Sequence, residues 1–273
     1  MATDWRARES GPGSHETRGK TATHRLRRLD QFLMAFDPGL LSRSGSSVVD
    51  LGYGRIPVTT VEWYRRLALV YPDVQMIAVE RDPDRVAATT TTPGISFRVG
   101  DFQLPLKSGE QVRLLRAMNV LRQYEEPAAM AAHVQLIAQL AEGGLIAEGT
   151  CDPPGRHLVV ALLRRVNGAI HSEGLLFACS FHGGFDPRSF QPVLPKHLIH
   201  RVVPGESIYD FFEHWERAAA HCRSSAEFGT RAHFVATGEH LAQVVNGVDA
   251  RRSWLRNGWL LWRDAPYGSA CEG

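Results

Sequence analysis

Asp50, Gly52 and Gly54 fall within the run VVDLGYG (48–54), and two further acids, Glu80 and Asp101, each stand where an apolar run ends. Glycines one residue apart let backbone approach a ligand with no Cβ in the way. A carboxylate in the place of Glu80 can accept both hydroxyls of a ribose, which a neutral side chain does poorly. Asp101, or the amide beside it, can meet the amino edge of an adenine. Asp50, next to the turn, favours a ligand with positive charge and repels a pyrophosphate.

Other nucleotide turns fit less well. A dinucleotide-binding turn uses G-x-G-x-x-G, whose third glycine lets helix and strand pack closely; here Pro57 holds that place. The G-x-x-x-x-G-K-[ST] run of an ATP-binding loop does not occur. S-adenosylmethionine remains, with its cationic amine and sulfonium. Three readings stay open: a methyltransferase dependent on that molecule, a non-catalytic module that binds it or a nucleotide, and a Rossmann NAD(P)-dependent oxidoreductase. Pro57 and Asp50 disfavour the last.

The carboxyl ends of adjacent parallel strands line one crevice, so the three acids need three strand ends. Ser47–Leu51, Val74–Val79 and Ile95–Val99 read as short buried strands ending at the turn, at Glu80 and before Asp101. A helix is expected between the first two, with Thr59 and Glu62 at capping-box spacing, and another begins at Asp82-Pro83. Val112–Leu115 reads as a fourth strand, Pro127–Leu140 as a helix ended by Gly143-Gly144, and Leu145–Ala147 as a fifth strand. Strands alternating with helices from 47 to 150 mean βαβ units and a parallel sheet. Leu158–Val166 and Leu175–Phe181 are candidates for the last strands. Leu26, Leu29, Phe32, Leu33 and Phe36 mark an amphipathic helix over 24–40, and Asp210–His221 marks another.

The segments VVDLGYG (48–54), IAVERD (77–82), VGDF (99–102) and GGLIAEGT (143–150) resemble, in that order, the class I S-adenosylmethionine-dependent methyltransferases. RLRRLDQF, RAMNVL and LPKHLIHRVVPGE together resemble an actinobacterial branch of that superfamily. The resemblance implies an α/β fold: a doubly wound, mostly parallel, Rossmann-like seven-stranded sheet with helices on both faces. It implies that Asp50, Gly52, Gly54, Glu80 and Asp101 hold S-adenosylmethionine as cofactor. VRLLRAMNVL (112–121) stands where the family has its fourth strand and substrate-facing loop, so Arg116 and Asn119 become catalytic candidates.

Methyl transfer asks the protein for positioning and, for some nucleophiles, a base. His197 and His200 in PKHLIH (195–200) are base candidates; no third ligand falls at a persuasive spacing, so no metal is expected. Enzymes that methylate exocyclic amines of bases carry [DN]-P-P-[FYW] after the fourth strand, where this chain has Arg116-Ala117-Met118-Asn119. Asp152-Pro153-Pro154 follows the fifth strand instead and reads as a stiff loop. Cys151 has no context that makes it a nucleophile.

The 273 residues are 44% hydrophobic and 22% charged, with a net charge of +2, the composition of an ordinary globular protein. Cys151, Cys179, Cys222 and Cys271 form no C-x-x-C pair, which points to a reducing, cytoplasmic compartment. No secretory h-region and no membrane-length apolar run is present. Residues 1–23 read as a disordered basic arm, and 24–273 as a single domain with a substrate-covering insertion around 183–206. The basic stretch Arg18, Lys20, His24, Arg25, Arg27 and Arg28 is either a solvated approach to the first helix or a contact for phosphates. A small molecule, RNA and protein all stay open as methyl acceptor.

Overall fold

The computed structural model describes residues 22–42 and 46–267. The expected arm, 1–23, therefore lies outside the described residues except for its last two positions, and Cys271 lies outside them as well.

Nine described strands form one sheet in the order β3-β2-β1-β4-β5-β6-β7-β9-β8. β1 (Ser46–Leu51), β2 (Gln75–Glu80), β3 (Ile95–Val99), β4 (Gln111–Met118) and β5 (Leu140–Cys151) are mutually parallel. β6 (His157–Val166) and β7 (Ala169–Cys179) follow β5 as an antiparallel meander, and β9 (Trp259–Trp262) pairs β7 and β8 (Val248–Asp249). β1 to β5, β7 and β8 thus run one way, and β6 and β9 the other. The strand count exceeds the expected seven because the Trp-rich end folds back onto the sheet, with Trp254 packing from the short helix α8 (Arg252–Arg256) that precedes β9.

Helices cover both faces. α1 (Arg27–Phe36) buries Leu29, Phe32 and Leu33, and α2 (Val58–Ala68) buries Trp63 and Leu67, against Val48, Met76, Ala78 and Leu114. α3 (Pro83–Ala87) joins β2 to β3, with Pro83 at its first position and Asp82 as its cap. On the other face α4 (Glu126–Ile137), α5 (Lys196–Ile199), α6 (Ser207–His221) and α7 (Thr230–Val244) lie over Val49, Ile77, Leu115, Ile146 and Phe177. A helix-free segment, 100–110, carries the chain from β3 to β4. It buries Phe102 and Leu104, and Gln139 satisfies its backbone by donating to Phe102 O and accepting from Leu104 N, both at 2.7 Å.

Three local expectations differ from the structure. α2 begins at Val58 after Pro57, so Thr59 lies inside the helix and not at its cap, and Glu62 accepts from His24 N instead of closing a capping box. Gly143 and Gly144 lie inside β5, at a register shift against β4, instead of ending α4. The segment 183–206 sinks Phe190, Leu194 and Leu198 into the core, so part of it is a structural layer. Among the described residues, no helix is long and apolar enough to cross a membrane.

Candidate functional site: the glycine turn and the strand ends around it

The turn leaves β1 at its carboxyl end. Gly52 and Gly54 have φ of +72° and +78°, a region that favours glycine. Gly52 N extends the β1–β2 ladder by donating to Val79 O at 2.7 Å. A Cβ on Gly52 would stand 2.6 Å from Val120 Cγ2, whereas a Cβ on Gly54 would meet nothing within 4 Å. Gly52 is therefore required by packing, and Gly54 presents open backbone.

Glu80 closes β2 and is 5% exposed. Its Oε2 accepts from Gly54 N at 2.9 Å, and Oε1 accepts from Arg81 N at 3.1 Å and Asp82 N at 3.3 Å. One carboxylate thus fastens the turn to the start of α3. A carboxylate offers about four lone-pair sites, so a ligand hydroxyl can still bond here. Asp101 follows β3, is exposed, and accepts from Gln103 N at 2.9 Å. Gly100 N donates to Glu80 O, which keeps Asp101 beside the end of β2.

Asp50 has another occupation. Arg116 reaches across from β4 and donates from Nε to Oδ1 at 2.9 Å and from Nη2 to Oδ2 at 2.7 Å; Thr60 Oγ1 adds a bond of 2.6 Å. Arg116 Nη1 donates to Asp30 Oδ1 of α1 at 2.5 Å, and Arg66 of α2 donates to the other Asp30 oxygen. The Arg116 guanidinium also lies 4.1 Å from the centroid of a Trp63 ring. Burial alone would lower the Arg116 pKa, but Asp50 and then Asp30 hold it above its ordinary value. Burial raises the Asp30 carboxyl to about 6, against the pull of Arg116 and Arg66.

Arg116 is fully buried, so it does not face the substrate crevice as expected; it is the centre of an ion network that ties β1, β4, α1 and α2 together. Asn119 does stand at the strand ends, in a left-handed conformation with φ of +61°. Its Oδ1 accepts from Cys151 N at 3.0 Å and its own N donates to Gly149 O at 2.8 Å, which clamps the end of β4 to that of β5. Burial pushes the Cys151 thiol up, away from nucleophilic thiolate. His197 is buried against His133 and Tyr267, and burial followed by His133 and Arg201 holds it down to about 3. His200 is exposed, with Nε2 3.5 Å from Lys196 Nζ. The structure thus brings Gly52, Gly54, Glu80, Asp101 and Asn119 to the carboxyl ends of the adjacent parallel strands β1 to β4, and commits Asp50 and Arg116 to each other within them.

The basic stretch before α1 is partly committed as well. Arg25 Nε donates to Asp152 O at 3.2 Å and Arg28 Nε to Cys179 O at 2.7 Å, so both hold strand-end carbonyls; Arg18 and Lys20 lie outside the described residues.

No protein-family model matches the sequence. No curated protein matches it either. Solved structures do overlap part of it. A methyltransferase from an antibiotic biosynthesis pathway of Anabaena variabilis is 16% identical over 46% of each chain, with a TM-score of 0.33. The N-methyltransferase NodS of Bradyrhizobium japonicum is 19% identical over 46% of this chain and 67% of its own, with a TM-score of 0.33. CalS10, an amino pentose methyltransferase of Micromonospora echinaspora solved with S-adenosylmethionine, is 17% identical over 59% of this chain and 69% of its own, with a TM-score of 0.35. This chain spans about half the length of the Anabaena structure and of the plantazolicin methyltransferase BpumL, which it covers to 46% and 47%.

Proposed function

We propose that this chain is an S-adenosylmethionine-dependent methyltransferase. The observation that carries the reading is the open backbone of Gly54 above Glu80, at the carboxyl ends of parallel strands where ligands of such sheets bind. The residues fit the cofactor with one exception. Glu80 would take the ribose hydroxyls, Asp101 or its neighbouring amide the adenine, and the Gly52–Gly54 backbone the part nearest the turn. Asp50 would not reach it, because both of its oxygens are already bonded to Arg116. S-adenosylmethionine, when bound, supplies a methyl group already activated on a sulfonium. The chain's own contribution is position: Glu80 fixes the turn against α3, and Asn119 fixes the adjoining ends of β4 and β5.

A non-catalytic binding module is the second reading. It is favoured by the same commitment of Asp50 and Arg116 to structure, and by the burial of His197 against His133 and Tyr267. A Rossmann oxidoreductase is the least favoured, on Pro57. The scattered cysteines favour a cytoplasmic location.

Calorimetry on the purified chain with S-adenosylmethionine, S-adenosylhomocysteine, NADH and ATP tests these readings. Heat from the first two alone supports the proposal. Heat from NADH or ATP alone, or none from any of the four in a folded sample, overturns it.

A further inference from the structure

A second polar group is buried on β5, where the glycine turn makes no contact. Glu148 is 1% exposed, and neither carboxylate oxygen has a hydrogen-bond partner among the described residues. Thr150, two positions on and therefore on the same face of the strand, is 1% exposed with an unpartnered Oγ1. Elsewhere this chain pairs its buried charges closely, as Arg116, Asp30 and Asp50 show. Among the described residues, the one group facing its carboxylate, His133 Nε2, stands 3.5 Å away and makes no hydrogen bond to it; an under-satisfied buried carboxylate is costly, so Glu148 can take a closer donor.

Its neighbours across the sheet are small. Glu148 is in register with Ala117 on β4 and Ala161 on β6, two of the smallest side chains available. Ala129 and Ala132 are the buried small residues of α4, which lies over this face. His133 of α4 brings Nε2 to 3.5 Å from Glu148 Oε2, and the Tyr267 hydroxyl lies 3.0 Å from His133 Nδ1. Burial, then Glu148, raises the Tyr267 phenol above its ordinary range, so it stays protonated and can donate to Nδ1. That bond leaves the Nε2 hydrogen facing Glu148 and orients the carboxylate. Tyr267 belongs to an irregular segment after β9 and is only half-buried, so the cover on this side is a loop and not a helix.

Position links the group to the crevice. Leu51, Ala117 and Glu148 form one row across β1, β4 and β5. Two strand spacings, roughly 10 Å, separate Glu148 from Leu51, the residue that opens the glycine turn. The Glu148 carboxylate offers only acceptors and a negative charge, and the Thr150 hydroxyl can accept beside it, so the matching ligand is a donor with positive charge.

We propose that Glu148 and Thr150 form a binding subsite for a protonated alkylamine, oriented by His133 and Tyr267 and entered by displacement of the Tyr267 segment. That it is the methyl-acceptor subsite rests on the methyltransferase reading; that it binds an amine does not.

The test titrates the full-length chain with n-propylammonium, 1-propanol and tetramethylammonium at constant ionic strength, by calorimetry and thermal shift. Saturable binding of n-propylammonium is expected, with none of the alcohol, which lacks charge, or of tetramethylammonium, which lacks N–H donors. Glu148→Gln should weaken it roughly tenfold or more, as loss of a charged acceptor does, while Glu239→Gln on the surface leaves it unchanged. If Glu148→Gln does not fold, Thr150→Val carries the test, with weakening of roughly fivefold expected for one neutral hydrogen bond. Equal binding of all three probes, no binding of n-propylammonium, or equal affinity in wild type and the folded variant overturns the proposal. S-adenosylmethionine is titrated into the same samples. Its binding without n-propylammonium binding removes the amine subsite alone; the reverse removes the methyltransferase reading and leaves an amine site.

Discussion

Arg116 and Asp50 face each other across adjacent parallel strands, with both guanidinium–carboxylate bonds between 2.7 and 2.9 Å. The pair sits directly below the glycine turn and is closed off by Trp63 and Asp30. An acid that the sequence presents as a ligand for a cation has found its cation inside the protein.

Removal of Arg116 is accordingly expected to act on stability. Arg116→Met leaves Asp30 buried with Arg66 alone and Asp50 buried with only the Thr60 hydroxyl, and loss of one partner from such a network costs about 3–5 kcal/mol. Arg116→Lys should recover little, because a single ammonium cannot make the forked contacts to two carboxylates. Urea midpoints of the three proteins check this. A loss under about 1 kcal/mol, within the range of exposed pairs, would show that the network is not what joins α1 to the sheet.

Asp30 gives the same network a pH signature. Its folded pKa, about 6, is above the ordinary carboxylate value, so between about pH 4 and 6 the folded state holds a proton that the unfolded chain has released. The contribution of Asp30 to stability therefore falls as pH rises through that window and is constant above it. The stability difference between wild type and Asp30→Asn should decline from pH 4 to 6, by at most about 1.4 kcal/mol per pH unit for one proton. A difference that instead grows over that interval would mean that Arg116 and Arg66 outweigh burial.

Much of this geometry could be read in the sequence, and the part that could not has a common cause. Gly52 and Gly54 were legible because few residues other than glycine serve a turn of positive φ after a buried strand. Glu80 and Asp101 were legible from their places at the ends of apolar runs. The partners of Asp50 were not: Arg116 and Asp30 come from other elements, and ion pairs between distant segments leave no spacing to read. Asp30 had one sign, an acid among Leu26, Leu29 and Leu33 on the buried side of α1. Glu148 showed the same sign, an acid inside the apolar run LIAEGT, but its alanine neighbours come from β4 and β6. Trp259–Trp262 is too short for periodicity to separate strand from buried helix, and so β9 was missed.

The two glycines should respond differently to a methyl group. Both alanine variants carry the strain of positive φ, about 1–2 kcal/mol. Only Gly52→Ala also drives its Cβ into Val120, so it should be the less stable by thermal melting. Gly54→Ala should stay folded and lose affinity for S-adenosylmethionine, because its new Cβ projects into open space above Glu80. If Gly54→Ala binds as wild type does, the open side of the turn is not the ligand's side.

Glu80→Ala should weaken S-adenosylmethionine binding by roughly tenfold or more, the effect of losing a charged acceptor. It also frees Gly54 N from its only described tie to α3. Glu62→Ala is the matched control: its carboxylate accepts from the exposed His24 N and touches no part of the turn. Calorimetry on both variants decides the matter, and equal affinity in wild type and Glu80→Ala would reduce Glu80 to a cap on the helix that follows it.

The final prediction concerns the arginines before and within α1. Arg28 donates to Cys179 O at the end of β7, and burial lowers its pKa. Arg25 donates to Asp152 O and approaches Cys151 O. Both guanidiniums fasten α1 over the strand ends, so replacing them should cost stability before it costs any affinity for a polyanion. Arg28→Met leaves a strand-end carbonyl without its side-chain donor, at about 1–3 kcal/mol. Phosphate contacts would behave otherwise: affinity for RNA would fall steeply with salt, and each lost contact would reduce that slope by about one. The measurement is binding of a short single-stranded RNA to wild type and to Arg25→Ser/Arg28→Met at two salt concentrations, beside urea unfolding of each. Reduced stability with an unchanged, weak salt slope is the expected result. A slope that drops in the variant would show that these arginines meet phosphates and would favour RNA among the three open methyl acceptors.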